Sequence, residues 1–211
     1  MQALKKHLFF FFCGLGLALV CATGTHSEPA AGDWNGFQVD VSRINAEQRQ
    51  SLAPSILEQL RIITSVDLPP AMLAFFRTVP IVVDASYVAQ SRALFQGRGQ
   101  GGYGEIHAGL KPLDPGKPVL LHEMMHAYDA QYWHNAKPEV NTAYQQALAE
   151  NLYPRESHFM HNQGEFFAIS STVYLYGNIA QVPHDCRTLA ARQAQYLRFL
   201  ADVFGRHALC D

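Results

Sequence analysis

The stretch VLLHEMMHAYD, residues 119–129, is the strongest constraint in the chain. Residues four apart share one face of a helix, so His122 and His126 would project side by side, one turn apart. Their neighbours Val119, Leu120, Met124, Met125 and Ala127 carry no charge, which suits a helix sunk in the interior. Any fold built around this segment must therefore bury a helix bearing two imidazoles and a carboxylate, Glu123. Such groups are costly to bury without partners. Two imidazoles on one face can both bind a single Zn²⁺. The H-E-x-x-H spacing keeps Glu123 beside the metal but off it, within reach of a water that the metal polarises. Ten histidines in 211 residues raise the chance of an accidental pair. An ordinary amphipathic helix with a polar stripe is thus the opposing reading, but it calls for polar x positions, and both are Met.

A catalytic zinc needs a third protein ligand and an open position. In NQGEFFAIS, Glu165 stands at the start of a second apolar helix, followed by Phe166, Phe167 and Ile169, which would seat it in the core. A carboxylate beside two phenylalanines needs a partner, and zinc would supply one. The alternative is a capping glutamate that bonds back to the Asn162 backbone, since Asn162 and Glu165 have capping-box spacing.

The rest of the chain frames these segments. Lys5 and Lys6 precede the apolar run HLFFFFCGLGLALVCA, and Val20-Cys21-Ala22 ends it with side chains suited to cleavage. Residues 1–22 therefore read as a secretory signal peptide, with a lipoprotein modified at Cys21 or an uncleaved anchor as the alternatives. TGTHSEPAAGDWNG, residues 23–36, reads as a flexible linker, and residues 37–211 as one domain. With the leader removed, two cysteines remain, Cys186 and Cys210, and an oxidising compartment favours a bridge between them. The helix expected between them would be about 24 Å long, so the residues after it must run straight back. A net charge of −2 with 16% charged residues argues against nucleic acid or an anionic membrane as a partner.

One or two helices are expected in INAEQRQSLAPSILEQLRIITSV, capped by Asn45 and broken near Pro54, then a short helix in PPAMLAFFRTV and a strand in PIVVDAS. GRGQGGYG, residues 97–104, contains a formal G-x-G-x-x-G. A dinucleotide site needs a strand before it and a helix after it. The preceding VAQSRALFQ reads as helix and the following EIHAGLKPL as strand, so the segment is taken as a flexible loop. Helices are expected over roughly 117–133, 138–152, 162–177 and 188–204. Helices, then a few strands, then helices make an α+β fold, mostly helical with a small sheet.

HEMMHAYD followed by GEFFA resembles the gluzincin zinc metallopeptidases, in particular the catalytic domain of anthrax lethal factor and the Mlc titration factor A peptidases. The resemblance spans roughly residues 80–180. It implies a zincin-like domain with His122, His126 and Glu165 as zinc ligands and Glu123 as general base. Asp129 matches an acidic position of lethal factor. The chain departs from that pattern four residues after Glu165, where Ile169 replaces an acidic residue. Support for the ligands would then fall to Asp129, orienting an imidazole; an exposed acid is the equal alternative. The family places a tyrosine seven residues before its third ligand to stabilise the oxyanion. Here Tyr153 stands twelve before Glu165, and His158 occupies the nearer spacing. Tyr153 is the expected donor, with His158 or His161 as substitutes or mere surface histidines. The strand in YGEIHAGL would be the edge strand beside the HExxH helix, able to pair with an extended peptide. His107 on it would face the cleft or be structural.

These readings converge on an exported, monomeric, zinc-dependent endopeptidase acting on a peptide or protein substrate, with no nucleic-acid partner. A membrane would be involved only through lipidated Cys21 or an uncleaved anchor. The alternatives are a zinc-binding effector that cleaves nothing and a structural protein whose motif is coincidental.

Overall fold

A computed structural model of the protein describes residues 34–85, 93–97, 104–207 and 210. The signal peptide expected at residues 1–22, its alternatives at Cys21 and most of the expected linker lie outside them. No helix among the described residues is long and apolar enough to cross a membrane. Trp34 and Phe37, at the end of the segment read as linker and just beyond it, are buried in the core.

The architecture is α+β, dominated by helices. Strands β1 (Val39–Asp40), β2 (Ile81–Val83), β3 (Ala93–Gln96) and β4 (Glu105–Ala108) form one sheet in the order β1-β2-β4-β3. β2 pairs in parallel with both β1 and β4, while β3 runs antiparallel to β4. All three residues of β2 are buried, as a β-branched run between two neighbours should be. The sequence makes Ala93–Gln96 part of a helix, and the structure makes it a strand. Ala, Leu and Gln are good helix formers, but four-residue pairing with β4 outweighs that preference. β3, not β4, is therefore an edge of the sheet among the described residues, with β1 at the other side. The glycine-rich segment leads from one strand to another, and the absence of a following helix removes the dinucleotide reading.

Helix α1 (Ala46–Ser65) is continuous through Pro54. Proline removes the bond that the Gln50 carbonyl would accept, but Gln50 and Pro54 are both exposed, so water can replace it. Asn45 and Gln48 close a reciprocal capping box at its start, at 2.9 and 3.0 Å. Helix α2 (Pro70–Phe76) follows, and α1 and α2 together make the right length of crossover to bring β2 beside β1.

After the sheet come α3 (Val119–Tyr128), α4 (Pro138–Ala149), α5 (Gln163–Tyr176) and α6 (Cys186–Phe204). α3 passes without a break into a π-helical turn, Asp129–Trp133. Every residue of α5 from Phe166 to Leu175 is buried, with the Ser170 and Thr172 hydroxyls donating to carbonyls of their own helix, so α5 lies at the centre and α3 packs along it. α6 bends at Gln193, whose side chain donates to the Ala143 carbonyl of α4 at 2.7 Å. The bend shortens the span from Cys186 to Phe204 and eases the return of the chain. Cys186 and Cys210 are disulfide-bonded.

Candidate metal centre

Three polar side chains meet where α3 lies against the start of α5. His122 and His126 stand one turn apart, and their Nε2 atoms are 3.1 Å apart. Glu165 lies in the first turn of α5, whose N-cap Asn162 accepts the Glu165 backbone N–H at 2.9 Å. No bond runs from Glu165 back to the Asn162 amide among the described residues. Its carboxylate turns instead to the imidazoles, with Oε2 at 3.3 Å from His122 Nε2 and 3.5 Å from His126 Nε2.

These separations test whether the trio fits a metal. Donors 2.0–2.1 Å from a tetrahedral zinc lie about 3.3–3.4 Å apart. The three observed edges, 3.1, 3.3 and 3.5 Å, bracket that value. Two imidazole nitrogens and one carboxylate oxygen on a shared point form a suitable donor set for a divalent ion, and these three residues could hold one.

The local fold puts the histidines there through a residue not singled out from the sequence. α3 begins at Pro118 with no side-chain cap of its own. Gln59, fully buried on α1, supplies one: its Oε1 accepts the Leu120 N–H at 3.1 Å. Its Nε2 donates to the carbonyls of Asp114 and Lys117 at 2.9 and 2.7 Å. The signal was present in the sequence. Gln59 is a polar residue inside the apolar stripe Leu52, Ile56, Leu60 and Ile63, and a buried amide needs several partners.

Glu123 is 6% exposed. Its Oε2 accepts the backbone N–H of Phe95 on β3 at 2.7 Å, and its Oε1 lies 4.0 Å from His122 Nε2. It is thus beside the histidine pair without joining it. Burial raises its pKa, against the opposing pull of His122, His126 and the Phe95 amide. At Glu165 the balance reverses. Burial opposes ionisation, but the His122 and His126 imidazoles outweigh it and hold the carboxyl well below the usual range. Burial also works against a charged His126, yet its carboxylate neighbours, Glu165 first, raise its pKa.

The remaining sequence candidates divide. His158, on a 3-10 turn at His158–Met160, reaches the centre with Nε2 3.1 Å from Glu165 Oε2. Burial lowers its pKa despite Glu165. Phe159 stacks on Phe166 of α5, at 4.6 Å, and fixes that turn. Tyr153 is buried at 3% exposure, packed edge-on against Phe159 with the Arg192 guanidinium over its ring. Its hydroxyl is buried without a hydrogen-bond partner. His161 is exposed and neighbours only the His158 ring within the aromatic contacts. His107 is buried and pairs with Glu105 at 3.0 Å. Asp129 is buried rather than exposed, and no hydrogen bond joins it to an imidazole among the described residues.

No family model matches the sequence, and no curated protein matches it. Among solved structures the chain is similar to the PRO-PRO endopeptidase (PPEP-2) from Paenibacillus alvei, at 15% identity and a TM-score of 0.48, over 81% of this chain and 98% of that one. At that distance any reading of function rests on the site's own geometry.

Proposed function

We propose that the protein is an exported zinc-dependent endopeptidase. The observation that carries this reading is the meeting of Glu165 Oε2 with the His122 and His126 nitrogens, with Glu123 set beside the trio and not in it. His122, His126 and Glu165 would hold the zinc. A zinc ion bound there would lower the pKa of water and polarise a peptide carbonyl. Glu123 takes the proton of the attacking water on Oε1 and passes it to the departing amine. Its burial supports this role, because desolvation raises the carboxylate's proton affinity above the ordinary value and makes it a stronger base.

A donor is also needed for the oxyanion. Of the residues considered from the sequence, His158 is supported by its place at Glu165, whereas the Tyr153 hydroxyl is enclosed under Phe159 and Arg192. We assign the donor role to His158. The disulfide agrees with an exported chain, since such bonds persist in oxidising compartments.

The test is metal analysis of the purified protein together with cleavage of a mixed peptide library, with and without a chelator. About one zinc per chain and chelator-sensitive cleavage are expected. Glu123→Gln should keep the zinc and lower kcat by about 100- to 10,000-fold, the usual range for a general base. Zinc retained with no cleavage by the wild type would favour a binding or effector protein; a chain without metal affinity would refute the assignment.

A further inference from the structure

β3 carries more than the sheet edge. In an antiparallel pair successive backbone N–H groups point alternately toward the partner strand and away from it. Among the described residues β3 has one neighbour, β4, with Phe95 opposite Ile106. The Phe95 N–H goes to Glu123 Oε2 at 2.7 Å, so it is one of those that point away from β4. An outward amide on an edge strand is ordinarily left to water or to an incoming strand. Here a buried side chain of another element takes it.

That bond decides how the carboxylate sits. Oε2 is fixed to the backbone of β3, which leaves Oε1 as the oxygen nearer the imidazole pair, 4.0 Å from His122 Nε2. A carboxylate with one oxygen tied cannot rotate the other out of place, and a reacting group must be held to within about 0.5 Å. The strand is itself held. The Phe95 ring lies across Gly104, where an added Cβ would stand 2.2 Å from a ring atom and 2.6 Å from the Gln96 carbonyl oxygen. A glycine immediately before β4 thus leaves room for the Phe95 side chain, whose backbone N–H meets Glu123.

Resting on the peptidase reading above, we propose that the main-chain amide of Phe95 is the positioning group of the general base. Edge strand β3 orients Glu123 through that hydrogen bond, with Gly104 leaving the space that the Phe95 ring fills.

Two measurements test this on the full, zinc-loaded chain. The first replaces residue 95 by phenyllactic acid, which exchanges the amide N–H for an ester oxygen and keeps the ring. With a peptide taken from the library, kcat should fall by about 10- to 100-fold, while KM and zinc content stay at wild-type values. A kcat within about twofold of wild type overturns the proposal, as does a loss confined to KM or zinc. The second follows amide hydrogen exchange at Phe95 by NMR and needs no substrate. Glu123→Ala should speed exchange there by about tenfold or more, and an unchanged rate overturns the proposal. Glu123→Gln is run in parallel. If it abolishes cleavage while the ester does not alter kcat, the positioning role fails and the peptidase reading stands. If cleavage survives Glu123→Gln, both fail.

Discussion

Replacing Asp129 by Asn should stabilise the metal-free protein at neutral pH and lose that effect in acid. Asp129 is 1% exposed, and neither carboxylate oxygen has a hydrogen-bond partner among the described residues. Burial pushes its pKa from an ordinary 3.8 up to about 6, with the His126 imidazole pulling the other way. The sign follows from proton counting. Below pH 3.8 the group is protonated in both folded and unfolded chains and costs nothing. Between 3.8 and about 6 the unfolded chain releases its proton while the folded one keeps it, so stability falls as pH rises. Above about 6 the loss levels off at about 3 kcal/mol, the gap between 3.8 and about 6 being worth about 1.36 kcal/mol for each tenfold change in proton affinity. Asn carries no charge at any pH and escapes this term. Its own amide donors bring a separate, pH-independent penalty, so the diagnostic quantity is the change in the wild-type–variant difference with pH. Urea unfolding of chelator-treated protein at pH 4 and pH 8 would measure it. The difference between Asp129→Asn and wild type should move in the variant's favour by about 2.4 kcal/mol between those two conditions, because about 0.6 kcal/mol is already lost at pH 4. A difference constant with pH would refute the reasoning and mean that Asp129 has polar partners that stabilise its charge.

Two further substitutions probe how the centre is built. A Cβ at Gly164 would stand 3.2 Å from the capping oxygen of Asn162 and 3.7 Å from His126 Nδ1. Gly164→Ala should therefore weaken zinc binding by about tenfold, read by chelator competition, with the circular dichroism of the folded chain preserved. Gln59→Leu leaves the Asp114 and Lys117 carbonyls and the Leu120 N–H without their partner. It should cost about 2–4 kcal/mol in urea unfolding; a cost below 1 kcal/mol would mean that α3 keeps its start by other means.

Where the determining interaction was local, the sequence was readable. The capping pair Asn45 and Gln48 lies within one turn, and His122 and His126 are brought together by helical geometry alone. Glu165 was readable because Phe166 and Phe167 advertise a buried helix start. Where a partner far along the chain decides, the reading failed. Ala93–Gln96 has the composition of a helix and becomes a strand only because β4 is there to pair with it. Pro54 looked like a break because sequence alone does not show that its orphaned carbonyl faces water. That His158 rather than Tyr153 lies beside Glu165 was likewise not legible, because it depends on the turn at His158–Met160, held by Phe159 stacking on Phe166.

The π turn at Asp129–Trp133 has a consequence for how this helix tolerates change in length. An α-helix advances about 100° per residue, so a turn holding one residue too many offsets everything after it by a comparable angle. In this chain Asp129 points inward at the start of that turn, and beyond it Tyr132 stays outside while Trp133 lies edge-on against Phe167 at 4.9 Å. The histidine end of the rod and its tryptophan wedge are thus set out of phase with each other. A single-codon gain or loss between them would act as a twist of one end against the other, not as a mere lengthening or shortening.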